Sequence, residues 1–580
     1  MVKKDLEAPQ LFTKPVTQAQ TKQNSLLELA IALCTVIFVL CILVMLAPLK
    51  SLAAISVTSH MPGGDLLVKA GSWLPSDLHI ATNPVLSKQG TGNIEFLLLM
   101  GLAFVVYGVC ALLILRQAPE GKNRRTLQLI WVGVVIGGLF FLFGPDLLSH
   151  DIFVYAGYGR LIDVYHANPY FVPLSTYSHD PVYALDDYAS STSAYGPFWL
   201  VVCAISGLVS GAHPLRYIIF FRLVGLAAHV VNIMLVASIL RMMGRSSRTV
   251  TLGTQLYAWN PLVLLESSHG GHNDIFMITF ILLGILFSVR AEKRRFAQRG
   301  WYLLPIAAFT LATLVKYTVA PLVILFLIAL TCVRVRPAAA TSLSLRENVV
   351  LRWKPALLAV LLTVLTSGII ILMFYGPFFA GHSIHAIASS FTSPPSSQAA
   401  HKSLLDGIIK WSKQHPLAPH SFKHALVYQL SRHFVWNLIS IITLAVTIIS
   451  GAFWMWHRPT IRTFILASLT TLGALLLVVP WFLPWYVTWL VALAVVCLPV
   501  MQERIARGLL AFTLTFSASA FFLYLYNGIP PANVWSPFSC LLTFGPPVLA
   551  FFFSAVIGRR LNRPANKVIQ SVNPAFKMPK

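Results

Sequence analysis

The sequence predicts an all-α, polytopic transmembrane helix bundle, and three observations predict it. Of 580 residues, 57% are apolar and only 11% charged, against about 25% charged in soluble domains. The apolar residues gather into long runs. Basic residues cluster between those runs, 43 Lys and Arg against 19 Asp and Glu. In a soluble chain a net charge of +24 would suggest nucleic acid; here the positive-inside bias accounts for it, and no nucleic-acid partner is expected. All seven cysteines fall in apolar stretches, which argues for buried thiols and against a disulfide framework.

The elements follow in order. Residues 1–24 read as a polar cytoplasmic tail, and the run at 25–47 is long enough to span rather than be cleaved. Further apolar runs lie at 93–115, 127–144, 195–211, 217–240, 249–265, 275–289, 301–333, 355–377, 435–456, 463–480, 485–500, 508–526 and 537–557. Basic clusters follow Arg116, Arg241, Arg290 and Arg334, and another fills the tail at 558–580. Placing these inside puts loops 48–92, 144–194, 266–274, 378–434, 480–484 and 527–536 outside, with both termini cytoplasmic. About 14 spans are expected, with an ordered outer loop after the third. The chain divides into a transmembrane region at 25–377, a His-rich outer loop at 378–434, a C-terminal transmembrane region at 435–557 and the basic tail.

Two stretches strain this scheme. Residues 301–333 begin and end at basic clusters, and about 50 Å of helix is too long for one span. A short hairpin with Lys316 near its turn resolves the parity. Residues 195–240 hold two apolar runs broken at 211–214, so one of them is expected to be partial or re-entrant.

Six of the 19 acids crowd loop 144–194: Asp146, Asp151, Asp163, Asp180, Asp186 and Asp187. Many aromatics accompany them, among them Tyr155, Tyr158, Tyr165, Tyr170 and Tyr188. A linker would be poor in aromatics, so an ordered loop able to stack on a sugar ring is expected, with an interfacial aromatic belt as the alternative. Asp151 stands where the third span ends, beside His150, Tyr155 and Arg160. Partial withdrawal from water would raise its basicity, as a general base requires; simple solvation at the bundle mouth is the alternative.

A second polar knot, Glu266, His269, His272, Asn273 and Asp274, follows the 249–265 run. Ionisable groups at membrane depth are usually functional, although Asp274 could simply cap the next helix. His269, His272 and Asp274 could bind a divalent metal, but no third strong ligand follows at fixed spacing, and no cofactor is expected. Lys316 interrupts an apolar run and needs an anion, either a protein acid or a lipid phosphate. Arg222 poses the same question but sits near a helix start, where it could snorkel. Loop 378–434 holds His382, His385, His401, His415, His420, His424 and His433 at irregular spacing with Asp406 as its one acid, which reads as solvated loop.

No phosphate-cradling glycine loop or nucleotide fingerprint is present. An outward-facing acidic site therefore needs an activated donor that reaches the outer leaflet, namely a lipid-linked sugar. A transporter is the rival class, but no internal repeat relates the two halves.

The run from Ser149 to Pro173, SHDIFVYAGYGRLIDVYHANPYFVP, resembles the first outer loop of bacterial polyprenyl-phosphate-mannose-dependent alpha-1,6-mannosyltransferases, membrane enzymes of the GT-C superfamily. YGP from Tyr195, WNPLVLLESSHGGHND from Trp259, LVKYT from Leu314 and PWYVTW from Pro484 follow in the expected order, covering roughly 149–489. The resemblance implies a GT-C bundle with its catalytic region within 25–377, and a catalytic carboxylate at Asp151. It also implies a donor-phosphate site drawing on Lys316, His272 and Asp274, with Trp485 and Tyr486 lining it; Arg160 is expected to help hold the phosphate, and Tyr155, Tyr195 and Asn168 are expected to line the substrate. The implied partners are a polyprenyl-phosphate sugar donor, a glycan or glycolipid acceptor, and membrane lipids. The implied reaction is inverting hexosyl transfer, of mannose before arabinose or glucose, on the outer face of the cell membrane. The chain departs from the pattern at His166 and Ala167 ahead of the NPY string, and no match is apparent before residue 93.

Overall fold

A computed structural model describes residues 18–52, 56–62, 64–73, 78, 88–119, 123–293, 301–335, 345–392, 403–414, 433–498, 503–527 and 537–561. The N-terminal residues 1–17, the tail beyond 561, and His401, His415, His420 and His424 lie outside them. Among the described residues the regular structure is helical, without a β-sheet. In order the helices are α1 (Gln18–Leu52), α2 (Gly64–Gly71), α3 (Lys88–Leu115), α4 (Arg124–Leu142), α5 (Asp151–Asp163), α6 (Pro197–Ser210) and α7 (Pro214–Met242). Then come α8 (Ser247–Ala258), α9 (Pro261–Ser268), α10 (Asn273–Lys293), α11 (Leu303–Val315), α12 (Ala320–Val335), α13 (Leu345–Phe379) and α14 (Ile384–Ser390). The chain continues with α15 (Leu404–Gln414), α16 (His433–His457), α17 (Ile461–Val478), α18 (Val487–Val496), α19 (Arg504–Ser519) and α20 (Pro537–Leu561).

Ten helical segments among the described residues are long and apolar enough to cross a bilayer, and four shorter apolar helices accompany them. The protein is an integral-membrane helix bundle. Its core is dry and bulky: Trp199, Trp259, Trp489, Tyr155 and Tyr257 are fully buried. All of α18 is buried, whereas only 11% of the apolar windows of α13 and α16 is covered. Those two helices form the rim.

Local chemistry explains the breaks that shape the site. Between α8 and α9, the Asn260 side chain accepts from the Val263 N–H at 3.2 Å, and Pro261 takes the first helical position. That span is therefore two short helices where sequence suggests one. The 301–333 run is the expected hairpin. Lys316 adopts an extended conformation (φ −151°, ψ 124°) that ends α11, and α12 returns until Arg334 lies 5.1 Å from the Tyr302 ring centroid. With 13 residues, α11 rises about 20 Å, two thirds of a bilayer core. Its tip carries Lys316.

The loop after α4 is ordered, and its first part is the helix α5, buried from Asp151 to Leu161. α5 and α6 run parallel: Tyr155 packs on Trp199 with centroids 5.1 Å apart. One turn on, a Cβ on Gly159 would meet the Cys203 carbonyl oxygen at 2.2 Å, so the missing side chain lets the backbones approach. The chain between them, residues 164–196, folds back over the bundle.

Candidate active site

Four segments meet at one end of the bundle: the start of α5, the 266–274 turn, the tip of α11 and the Pro484–Tyr486 turn. Arg222 anchors two of them. Its guanidinium is fully buried and donates to the carbonyls of Leu142 (3.1 Å), Gly144 (2.8 Å), Asp146 (2.6 Å) and His269 (2.9 Å). It does not snorkel, which corrects the sequence reading: the carbonyls freed where α4 and α9 end give it enough acceptors to stay inside. Asp146, held at φ 52°, also accepts from the Val57 N–H at 2.8 Å. Loop 48–92 is thereby tied to the segment that leads into Asp151.

Asp151 opens α5, where the helix N-terminus favours a carboxylate. Its Oδ2 lies 3.4 Å from His272 Nδ1 and accepts from the Tyr155 hydroxyl at 3.4 Å. Burial alone would lift the Asp151 carboxyl, but His272, Lys316 and Ser149 outweigh burial and hold it below its ordinary value. The raised basicity expected from sequence is therefore corrected, because adjacent cations override desolvation. His272 Nε2 lies 3.2 Å from Glu266 Oε2, and the ring stacks on Trp485 at 3.8 Å. Burial works against the imidazolium, yet Asp151 and Glu266 together lift His272 to about 9.

Asp274 begins α10 beside Asn273 and receives the Lys316 ammonium at 2.9 and 3.2 Å and the Trp489 indole N–H at 2.6 Å. The ammonium lies 4.1 Å from the Tyr486 ring centroid, a cation–π distance. The YGP string sets this height. Gly196 N–H donates to Val315 at 3.1 Å, and a Cβ there would fall 2.1 Å from the Leu314 oxygen. The Tyr195 carbonyl accepts from Tyr170 and Tyr317, each at 2.9 Å.

These segments enclose a cavity of about 280 Å³ whose wall includes Asp151, Tyr158, Tyr188, Tyr195, Lys316 and Tyr486, with Trp481 also lining it. Of the residues expected at the site, Asp151, Lys316, Tyr195 and Tyr486 reach the cavity. Tyr155, Trp485, His272 and Asp274 pack behind its wall. Arg160 and Asn168 are elsewhere. Arg160 donates to Asp180 at 2.5 Å and to Gly211 at 2.7 Å, and Asn168 donates to the Phe378 carbonyl at 2.5 Å. Both close loop 164–196 onto the bundle. His269 turns to the Pro145 carbonyl at 3.0 Å, away from His272, and among the described residues no cluster of three or more His, Cys, Asp or Glu is placed to hold a metal. Glu266, Trp489, Tyr188 and Trp481 join the site without having been assigned to it from sequence. Glu266 carried a signal, an acid ending an apolar run; Tyr188 and Trp481 carried none that separates them from other aromatics.

An integral-membrane helix bundle thus carries a carboxylate and an ammonium on the wall of one cavity. Residues 62–334 match the family described as alpha-(1->6)-mannopyranosyltransferase, N-terminal domain. The match holds α4 to α11 and therefore Asp151, His272, Asp274 and Lys316, and it begins earlier than the resemblance at residue 149. A comparison with curated proteins found no match. The protein is a glycosyltransferase of the mannosyltransferase class.

Proposed function

We propose that the protein transfers a mannosyl residue from a polyprenyl-phosphate donor to a glycan or glycolipid acceptor on the outer face of the membrane, with inversion. The observation that carries this reading is the shared cavity wall: Asp151 and Lys316 both border a space of about 280 Å³, a little below the ~300 Å³ at which small-molecule sites begin. Such a space suits one sugar ring with its phosphate at Lys316.

At most two of the three ammonium donors are engaged by Asp274, so Lys316 retains capacity for a phosphate oxygen. The acceptor hydroxyl enters beneath loop 164–196 and gives its proton to Asp151. Its oxygen attacks the anomeric carbon as the bond from that carbon to the phosphate oxygen breaks, through an oxocarbenium-like transition state. The lipid phosphate leaves as a dianion, stabilised by Lys316, and requires no general acid. His272 and Arg160 are held by carboxylates and stand off the cavity wall that Lys316 lines, which leaves Lys316 as the donor-phosphate cation.

The test is transfer by the full chain reconstituted in vesicles. Polyprenyl-phosphate mannose is expected to yield product with inverted anomeric configuration, ahead of the arabinosyl and glucosyl analogues. Transfer from a nucleotide-linked mannose alone, or retention of configuration, would overturn the reading.

A further inference from the structure

The His272 ring faces carboxylates at both nitrogens, Asp151 at 3.4 Å and Glu266 at 3.2 Å; the His272 and Glu266 side chains are almost wholly buried, and that of Asp151 is 11% exposed. A neutral imidazole donates from one nitrogen and presents a lone pair at the other, which would here point at an anion. The imidazolium alone turns a proton toward both carboxylates, an ion-pair contact on the Asp151 side. The second oxygen of Glu266 is held as well: Tyr524 donates its hydroxyl to Oε1 while Oε2 faces the ring. Trp485, stacked at 3.8 Å, fixes the plane of the imidazole. Tyr524 and Trp485 both come from the chain beyond residue 334, outside the segment that matches the mannosyltransferase domain.

We propose that Glu266 is a positioning residue that keeps His272 as the cation aiming and ionising Asp151, and that Tyr524 fixes Glu266 for that task, so the C-terminal region completes the base. The proposal rests on Asp151 being the base. The other titratable and charged groups around the ring are Tyr155 on α5, Arg222 on α7 with its four carbonyls, His269 on Pro145, the Lys316–Asp274 pair, and Tyr188 with Asp186 on the returning loop. None of them replaces Glu266 at Nε2.

The test is the pH profile of kcat/KM for mannosyl transfer by the full chain in vesicles. Removing an anion at this distance moves a titration by roughly one unit or more, so Glu266→Gln is expected to bring the basic limb down by that amount. Glu266→Asp, which keeps the charge but draws it back, should fall between Gln and the native protein. It carries the test if Glu266→Gln fails to accumulate. Tyr524→Phe is expected to lower kcat while leaving the donor KM unchanged; a raised donor KM with kcat intact would remove Tyr524 from the proposal. A basic limb that stays put or rises in Glu266→Gln, or in Glu266→Asp where that variant decides, overturns the proposal. If Asp151→Asn is inactive in the same assay, that failure leaves the base reading standing; substantial turnover by Asp151→Asn would overturn the base reading itself.

Discussion

The Lys316 ammonium stands 2.9 Å from one carboxylate oxygen of Asp274 and 3.2 Å from the other, while the same side chain borders the cavity. One cation thus serves a structural anion and faces the space assigned to the donor. Lys316→Met leaves Asp274 as a buried, unpaired charge, a loss of about 3–5 kcal/mol. Adding Asp274→Asn should restore most of the thermal stability without restoring donor use. Unfolding midpoints in detergent, set beside donor KM, separate the two roles.

Arg222 predicts a different pattern. Its removal orphans four buried carbonyls, and Arg222→Met is expected to cost more than about 3 kcal/mol, since hydrogen bonds to charged groups are the strong ones. Arg222→Lys should rescue poorly, because an ammonium cannot span four acceptors set around a planar fork. Thermal unfolding and protease access to residues 142–150 would report this directly.

Stability should depend on pH through two groups outside the spans. Burial, with Asp187 and Asp151 nearby, raises Asp186 from 3.8 to about 7, so folding is penalised progressively as pH rises through that interval. His272, raised from 6.5 to about 9, contributes stability that is complete below 6.5 and lost as pH climbs through 9. The unfolding midpoint is therefore expected to decline in two stages with rising pH. Asp186→Asn should remove the lower stage and leave the upper one, as a midpoint series from pH 4 to 10 would show.

Gly196→Ala tests the link between the YGP string and the cavity. The added methyl would collide with the Leu314 carbonyl, and overpacking of this kind costs about 1–3 kcal/mol. Displacement of the α11 tip should raise donor KM more than it lowers stability. Equal activity with native donor KM would show that this contact does not set the height of Lys316.

Much of the architecture was legible because bilayer physics leaves a strong mark: long apolar runs, basic clusters between them, and a parity conflict that correctly demanded a hairpin at Lys316. Asp151 and the 266–274 knot stood out because charge beside apolar sequence is expensive. What sequence concealed was pairing. Arg160 beside Asp151 looked available for phosphate, yet its ion-pair partner, Asp180, lies in the same loop. Asn168 sits in a string that marks the family and spends its amide on the Phe378 carbonyl. Tyr524 lies within an apolar run, 258 positions from Glu266, and nothing local announces a hydroxyl aimed at a carboxylate. The direction of the Asp151 shift was hidden for the same reason, since it depends on cations brought in from α11 and from the turn before α10.

The most direct measurement of the central claim is mannosyl transfer by Asp151→Asn in vesicles, with accumulation and donor binding measured on the same preparation. Loss of a general base predicts a rate about 10²–10⁴-fold lower with donor binding retained. A variant that binds donor and turns over within about tenfold of the native rate, far short of that loss, would contradict the account.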